Sequence, residues 1–163
     1  MEALAGATAK DLMQTDVIRL EADDRVESAV ALFEEYHIGG APVVDAAGKL
    51  LGFLSAADVA RSEHVQHGEI VTGRGDYSAG TGEVEDDGAF YSKDEYSPEV
   101  LGNELVKDWM NPDVISLPPS ASLKEICEIM VRESIHRVVI VENQNVRGIV
   151  STFDITRHLA ETL

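Results

Sequence analysis

Apolar residues recur along the chain in two alternating periods, and the same succession of periods occurs twice. Asp16-Val17-Ile18-Arg19-Leu20 predicts a short extended segment. Val26, Ala29, Val30 and Phe33 then fall three or four residues apart, which predicts a helix. Ala41-Pro42-Val43-Val44 and residues 50–54 predict two strands, joined by the turn-rich Asp45-Ala46-Ala47-Gly48. Ser55, with Asp58 three residues on, predicts the start of a second helix. After a long polar interval the pattern returns. Asp113-Val114-Ile115-Ser116-Leu117 is extended, and Pro118-Pro119 keeps the residues before it so. Leu123, Ile126, Cys127 and Met130 have helical spacing, with Ser120 or Ser122 available as the cap. Residues 137–141 and 146–150 predict strands around the turn Glu142-Asn143-Gln144-Asn145. Ser151 and Asp154 open the last helix. The expected fold class is α/β (α+β), ordered strand, helix, strand, strand, helix, twice over.

The repetition extends to residue identity. Residues 10–61 align with 107–157 once one residue is skipped near Lys49, and 13 of 51 positions are identical. The identities cluster at the two ends. Lys-Asp-x-Met-x-x-Asp-Val-Ile-x-Leu opens both copies, and Gly-x-x-Ser-x-x-Asp-x-x-Arg closes both. A unit of about 50 residues with internal strands and helices cannot bury its apolar face alone. The two copies are therefore expected to pack sheet to sheet about a pseudo-twofold axis, each long helix against its own sheet. The expected division is 1–66 for the first unit with its N-terminal segment, 67–98 for a spacer and 99–163 for the second unit. Helix faces carrying Val59, Ile155 and Leu159 predict a homodimer.

Residues 62–106 hold 11 acids against two bases, and seven glycines. Residues 73–88 show neither period and read as a loop. Ser97-Pro98-Glu99 predicts a helix start running through Leu101 and Leu105 towards Trp109. His64 and His67, between Glu63 and Glu69, have metal-ligand spacing but lack a third firm ligand, so a solvated helix end is expected and no metal. No apolar run approaches the roughly 20 residues of a membrane span. No positively charged leader with a long apolar run opens the chain. Cys127 is the only cysteine, and its neighbours Ile126 and Ile129 place it on an apolar helix face. The expected location is the cytoplasm. The net charge of −17 argues against nucleic acid and anionic membranes as partners. No glycine-rich phosphate loop with Lys is present, and no nucleophile stands with a base, so catalysis is not expected.

The chemistry concentrates where each closing motif turns from strand to helix. Such a junction collects backbone N–H groups, a hydroxyl and a carboxylate. A carboxylate such as Asp154 can accept from both hydroxyls of a ribose. Ser151 and Thr152 at the helix start suit a phosphate, and His136-Arg137 bring positive charge to the neighbouring strand. In the first copy Gly39-Gly40 stand in place of His136-Arg137, and Ala56 in place of Thr152. That cleft is expected to take a less charged ligand, or none. A second account competes with this one. Ser with an acid three residues on is also a capping box, which stabilises any helix by roughly 1 kcal/mol. Duplication does not remove that alternative, because both helices need caps.

The opening Met-x-x-Asp-Val-Ile, the strand Gly40-Ala41-Pro42-Val43-Val44-Asp45 and the Gly-x-x-Ser-x-x-Asp junction, in this order and twice, resemble CBS domains in the tandem pair called a Bateman module. The resemblance covers both repeats, about two-thirds of the chain, and not the spacer. Ser134-Ile135-His136-Arg137-Val138-Val139-Ile140-Val141 with Gly148-Ile149-Val150-Ser151 is similar to the repeats of the AMP-activated kinase gamma subunit. The resemblance implies two clefts between the repeats that take AMP, ADP, ATP or a related adenosyl ligand, with or without Mg, and no resident cofactor. It implies that Ile18, Ile38, Gly39 and Gly40 complete the cleft around His136, Arg137, Ser151, Thr152 and Asp154. By symmetry, Ile115 and Ile135 would complete the cleft around Ser55 and Asp58. It also implies a disc-like homodimer and a regulatory role read by a partner protein. The rival expectations are a scaffold that binds no nucleotide and acts through the acidic spacer, and a nucleotide-hydrolysing enzyme.

Overall fold

The computed structural model describes residues 6–60 and 103–162. The loop at 73–88, the helix start at Ser97, the spacer 67–98 and the His64/His67 pair lie outside the described residues. The first unit runs α1 (Ala9–Leu12), β1 (Leu20–Glu21), α2 (Val26–Tyr36), β2 (Gly40–Val44), β3 (Leu50–Ser55) and α3, helical over residues 56–60. The second runs α4 (Val106–Trp109), β4 (Ser116–Leu117), α5 (Leu123–Glu133), β5 (Arg137–Glu142), β6 (Asn145–Ser151) and α6 (Thr152–Thr162). Each unit forms one three-stranded mixed sheet, ordered β1-β2-β3 and β4-β5-β6. The first pair in each sheet is parallel and the second antiparallel. The expected α/β architecture is therefore present, twice.

Local chemistry explains the long helices. Val26, Ala29 and Phe33 of α2, and Ile126 and Met130 of α5, are the buried positions of their helices. Ser122 caps α5 by accepting from the Glu125 N–H, and Glu125 accepts from the Ser122 N–H at 2.7 Å. The Glu125 carboxylate also accepts from Ser122 Oγ at 2.7 Å, and these N–H and hydroxyl donors hold it below its ordinary pKa. His37 and Ser134 end α2 and α5 in the left-handed conformation, both at φ 53°. The chain then folds back, with Ile38 N–H on Phe33 O and Ile135 N–H on Met130 O, each at 3.0 Å.

The two opening helices are exchanged. Ala9 and Leu12 of α1 are buried in the second unit's core, with Ile126, Met130, Val138, Ile140 and Val150. Val106 of α4 is buried in the first unit's core, with Leu20, Val26, Phe33, Val43, Leu54 and Val59. First-turn N–H groups of each short helix find carbonyls in the other repeat. Ala9 and Lys10 donate to Ala121 and Pro119, while Val106 and Lys107 donate to Asp24 and Ala22. A third apolar cluster lies between the sheets, made of Val44, Val139 and Val146 with Val17, Leu50, Phe53, Val114 and Val141 around them.

Three expectations change here. Leu105 is extended, not helical: it bridges to Arg25, and the helix begins only at Val106. The strands β1 and β4 keep only the last residues of the predicted extended segments, because the residues before them cross onto the other unit. Val59 is not on an exposed helix face; it is fully buried in the first core, so it cannot serve a dimer contact.

The exchange also explains why Met and Gly recur in both motifs. Gln14 pairs with Ile149 across β6, and Asn111 pairs with Phe53 across β3. A Cβ on Gly148 would lie 2.7 Å from Met13 Sδ and 2.8 Å from Gln14 O. One on Gly52 would lie 2.5 Å from Met110 Sδ and 2.9 Å from Asn111 O. The thioether can swing aside, but the carbonyl belongs to paired backbone. Gly148→Ala and Gly52→Ala should each therefore destabilise the fold by about 1–3 kcal/mol. Urea unfolding followed by circular dichroism measures this; an unchanged midpoint would show that the opening segments yield without cost.

Candidate functional site: two strand-to-helix junctions

The second junction forms where β6 runs into α6. Arg137 opens β5 directly opposite Ser151, the last residue of β6. The Thr152 N–H donates to His136 O at 2.9 Å, which holds the first turn of α6 against the start of β5. His136, Arg137, Ser151, Thr152 and Asp154 are thus brought together, from stretches 14 or more residues apart in sequence. His136 is exposed and Arg137 half-buried. Among the described residues, no side-chain hydrogen bond or ion pair engages either of them.

Asp154 is only 5% exposed, and a buried carboxylate needs donors. It has four. Its Oδ2 accepts from Ser151 N–H at 2.8 Å and from Ser151 Oγ at 2.6 Å. Its Oδ1 accepts from Gln14 Nε2 at 2.9 Å and from the Arg157 guanidinium at 2.5 Å. The Asp154 N–H donates back to Ser151 Oγ at 3.2 Å, so Ser151 and Asp154 cap the helix reciprocally. The capping account is therefore part of the structure. The expectation that Ser151 and Thr152 offer free N–H groups to an anion is corrected, since both are already bonded. Arg157 also lies 5.6 Å from the centre of the exposed Phe153 ring, a cation–π distance.

The first junction repeats the cap, with Gly39 and Gly40 where the second has His136 and Arg137. Gly40 pairs with Ser55, and Ala56 N–H donates to Gly39 O at 3.0 Å. Ser55 N–H and Oγ donate to Asp58 Oδ2 at 3.0 and 2.6 Å. A Cβ on Gly40 would lie 2.7 Å from Leu54 O and 2.9 Å from Ser55 Cα, so the position that holds Arg137 in the second unit admits no side chain here.

The remaining predicted residues have clear places. Ile38, Gly39 and Gly40 lead into β2 beside Ser55, and Ile135 precedes His136 and packs on the second core. Ile18 is half-buried on the opening segment, between Gln14 on Asp154 and Arg19, whose guanidinium donates to Val146 O at 3.1 Å. Ile115 is half-buried on the equivalent segment of the second unit, after Asn111 crosses β3. Sequence reasoning missed Gln14 and Arg157 as partners of Asp154. Arg157 could have been found from its i+3 spacing; Gln14 could not, being 140 residues away.

Other chemistry is limited. Among the described residues no group of His, Cys, Asp and Glu could hold a metal ion, and no helix is long and apolar enough to cross a membrane. Cys127 is half-buried, and burial pushes its thiol pKa up, away from the reactive thiolate. Asp154→Ala removes the acceptor of a cap and of two further donors. It should cost about 1–3 kcal/mol of stability without any ligand, and Asp154→Asn less. Chemical denaturation of the three proteins tests this; equal midpoints would show the network to be energetically idle.

Comparison with known proteins places this geometry. A family model described as the CBS domain matches residues 9–64 and 106–161. The uncharacterized protein MJ1426 of Methanocaldococcus jannaschii is 29% identical over 158 residues, covering 92% of this chain and 89% of that protein. MJ1225 of the same organism is 24% identical over 150 residues, and there the match covers 92% of this chain but only 42% of the relative. The crystal structure of CBSX2 in complex with AMP superposes with a TM-score of 0.69 at 18% identity, over 96% of this chain and 98% of the other. The CBS domain pair of MJ0100, in complex with 5′-methylthioadenosine and S-adenosyl-L-methionine, gives 0.66 at 17% identity, with the same coverage. Identities this low carry the fold alone; the family rests on the duplicated match, and the chain belongs to the CBS domain family, with two copies of the domain.

Proposed function

We propose that the chain is a non-catalytic regulatory module, acting in the cytoplasm, whose second cleft binds an adenine nucleotide. The observation that carries this reading is the Arg137 guanidinium, with the His136 imidazole beside it, at the start of β5, opposite the helix start at Ser151 and Thr152. On a chain of net charge −17, a guanidinium beside a helix N-terminus favours an anion, and an imidazole N–H next to it can donate to one. Because the N–H groups of Ser151 and Thr152 are engaged, the phosphate contacts fall to His136, Arg137 and the Thr152 hydroxyl, with the α6 dipole behind them. The ribose diol would bind Asp154, and Ile18, on the opening segment that carries Gln14, would line the base; Ile38, Gly39 and Gly40 lie beside Ser55 and go with the first cleft. The AMP of CBSX2 and the adenosyl ligands of MJ0100, on the same fold, support an adenine-containing ligand. The first cleft, with Ser55, Asp58, Ile115 and Ile135, has no side chain at Gly40 and suits an uncharged adenosyl group. Binding would change the relative placement of the two units, which a partner protein would read.

Calorimetric titration with adenosine, AMP and ATP, with and without Mg, tests the site. Arg137→Ala should weaken AMP and ATP about tenfold or more and leave adenosine little changed, since an Arg–phosphate bond is charge-assisted. Equal weakening of all three would remove the phosphate role. No binding by the wild type would favour a scaffold instead.

A homodimer belongs to the same proposal. With Val59 in the core, the contact is left to α6, where Phe153 is exposed and Ile155 and Leu159 are half-buried. Sedimentation should show a dimer; a monomer at every concentration, with or without nucleotide, would overturn it.

A further inference from the structure

The two repeats differ at one position of the opening motif in a way that bears on ligand binding. Gln14 and Asn111 are equivalent, and each lies on the other repeat's sheet. Gln14 extends its amide across the units to Asp154 Oδ1 at 2.9 Å. Asn111, one methylene shorter, instead accepts from the Asp113 N–H at 2.9 Å and closes its own turn. Only the second junction is therefore tied to the opposing segment by this side chain.

An ionised carboxylate has about four lone-pair sites. Asp154 already receives four donors, from Ser151 N, Ser151 Oγ, Gln14 and Arg157. A ribose diol donating even one O–H to this carboxylate cannot simply be added; one donor has to leave. The two Ser151 donors belong to the helix cap. Arg157 is cationic and bound three residues away on the same helix, so its bond is charge-assisted and local. Gln14 is neutral, on an exposed residue and on a separate segment. It is the weakest-held of the four.

We propose that Gln14 is a specificity-determining latch: its amide holds the carboxylate oxygen that a ribose diol takes, so the diol binds by displacing it. This rests on the nucleotide reading of the second cleft. Displacement costs affinity for any ribose ligand. It also converts occupancy into release of a side chain on the opening segment of the first repeat, while the backbone pairing of Gln14 with Ile149 persists. The segment continues into α1, seated in the second core, and into β1 of the first sheet. The release thus acts where the two units are joined.

The test compares wild type and Gln14→Leu, which removes the donor, by titration with adenosine and with 2′,3′-dideoxyadenosine. Adenosine should bind Gln14→Leu about three- to tenfold more tightly, as loss of one competing hydrogen bond implies. Dideoxyadenosine, which has no diol, should bind both proteins equally. In the wild type, the Gln14 side-chain amide resonance should shift with adenosine and stay in place with the dideoxy analogue. Unchanged or weaker adenosine binding to Gln14→Leu would overturn the latch and make Gln14 a support for Asp154. An equal gain for both ligands would overturn it too. If the wild type binds neither adenosine nor AMP, the nucleotide reading falls and the latch with it; if it binds adenosine and Gln14→Leu binds it no better, only the latch falls.

Discussion

Each repeat begins by leaving itself. Met13 and Gln14 lie on Gly148 and Ile149, and Met110 and Asn111 lie on Gly52 and Phe53, through paired backbone hydrogen bonds. Most other features depend on this reciprocal crossing. It seats α1 and α4 in the opposite cores and supplies carbonyls to their first turns. It brings Val17 and Val114 into the cluster between the sheets. Neither unit has a complete core without the other's opening segment, so the pair is one cooperative structure.

The crossing also shapes the candidate site. The carboxylate of Asp154 is held by its own helix and by a residue from the far end of the other repeat. A group that caps a helix within one unit thereby touches the seam between units. The capping and binding accounts of Ser-x-x-Asp are not exclusive: the cap fixes one carboxylate oxygen and leaves the other facing the seam. The same cap at Ser55 and Asp58 has no cationic neighbour at Gly39 and Gly40, because β3 passes too close to Gly40 for a side chain. Pseudo-symmetry in the backbone thus supports two chemically different ends.

Departures from symmetry are small and local. One methylene separates Gln14 from Asn111, yet one side chain spans the units and the other closes its own turn. The linker between β5 and β6 is a two-residue turn with Asn143 and Gln144 at positive φ, whereas the first unit uses Asp45 to Lys49 with Gly48 at φ 83°. Lys49 and Asn145 bridge the two hairpins at equivalent positions, as residues on a pseudo-twofold axis must.

The sequence by itself determined the order of elements, the duplication and the reach of the two hairpin strands of each sheet to within a residue, though not of β1 and β4. Those properties are written in short-range periods: Val26, Ala29 and Phe33 for a helix, Val138 to Ile140 for a buried strand. It also pointed to both junctions, because Ser and Asp three residues apart meet on one helical turn. The tertiary structure alone decided where the opening segments go, since nothing in Lys-Asp-x-Met says which sheet will receive the Met. It decided that Val59 is core and that Leu105 is extended, because each answers to a partner from the other repeat. It decided, too, that Asp154 is shared with Gln14, a contact between residues 140 positions apart that no local pattern encodes.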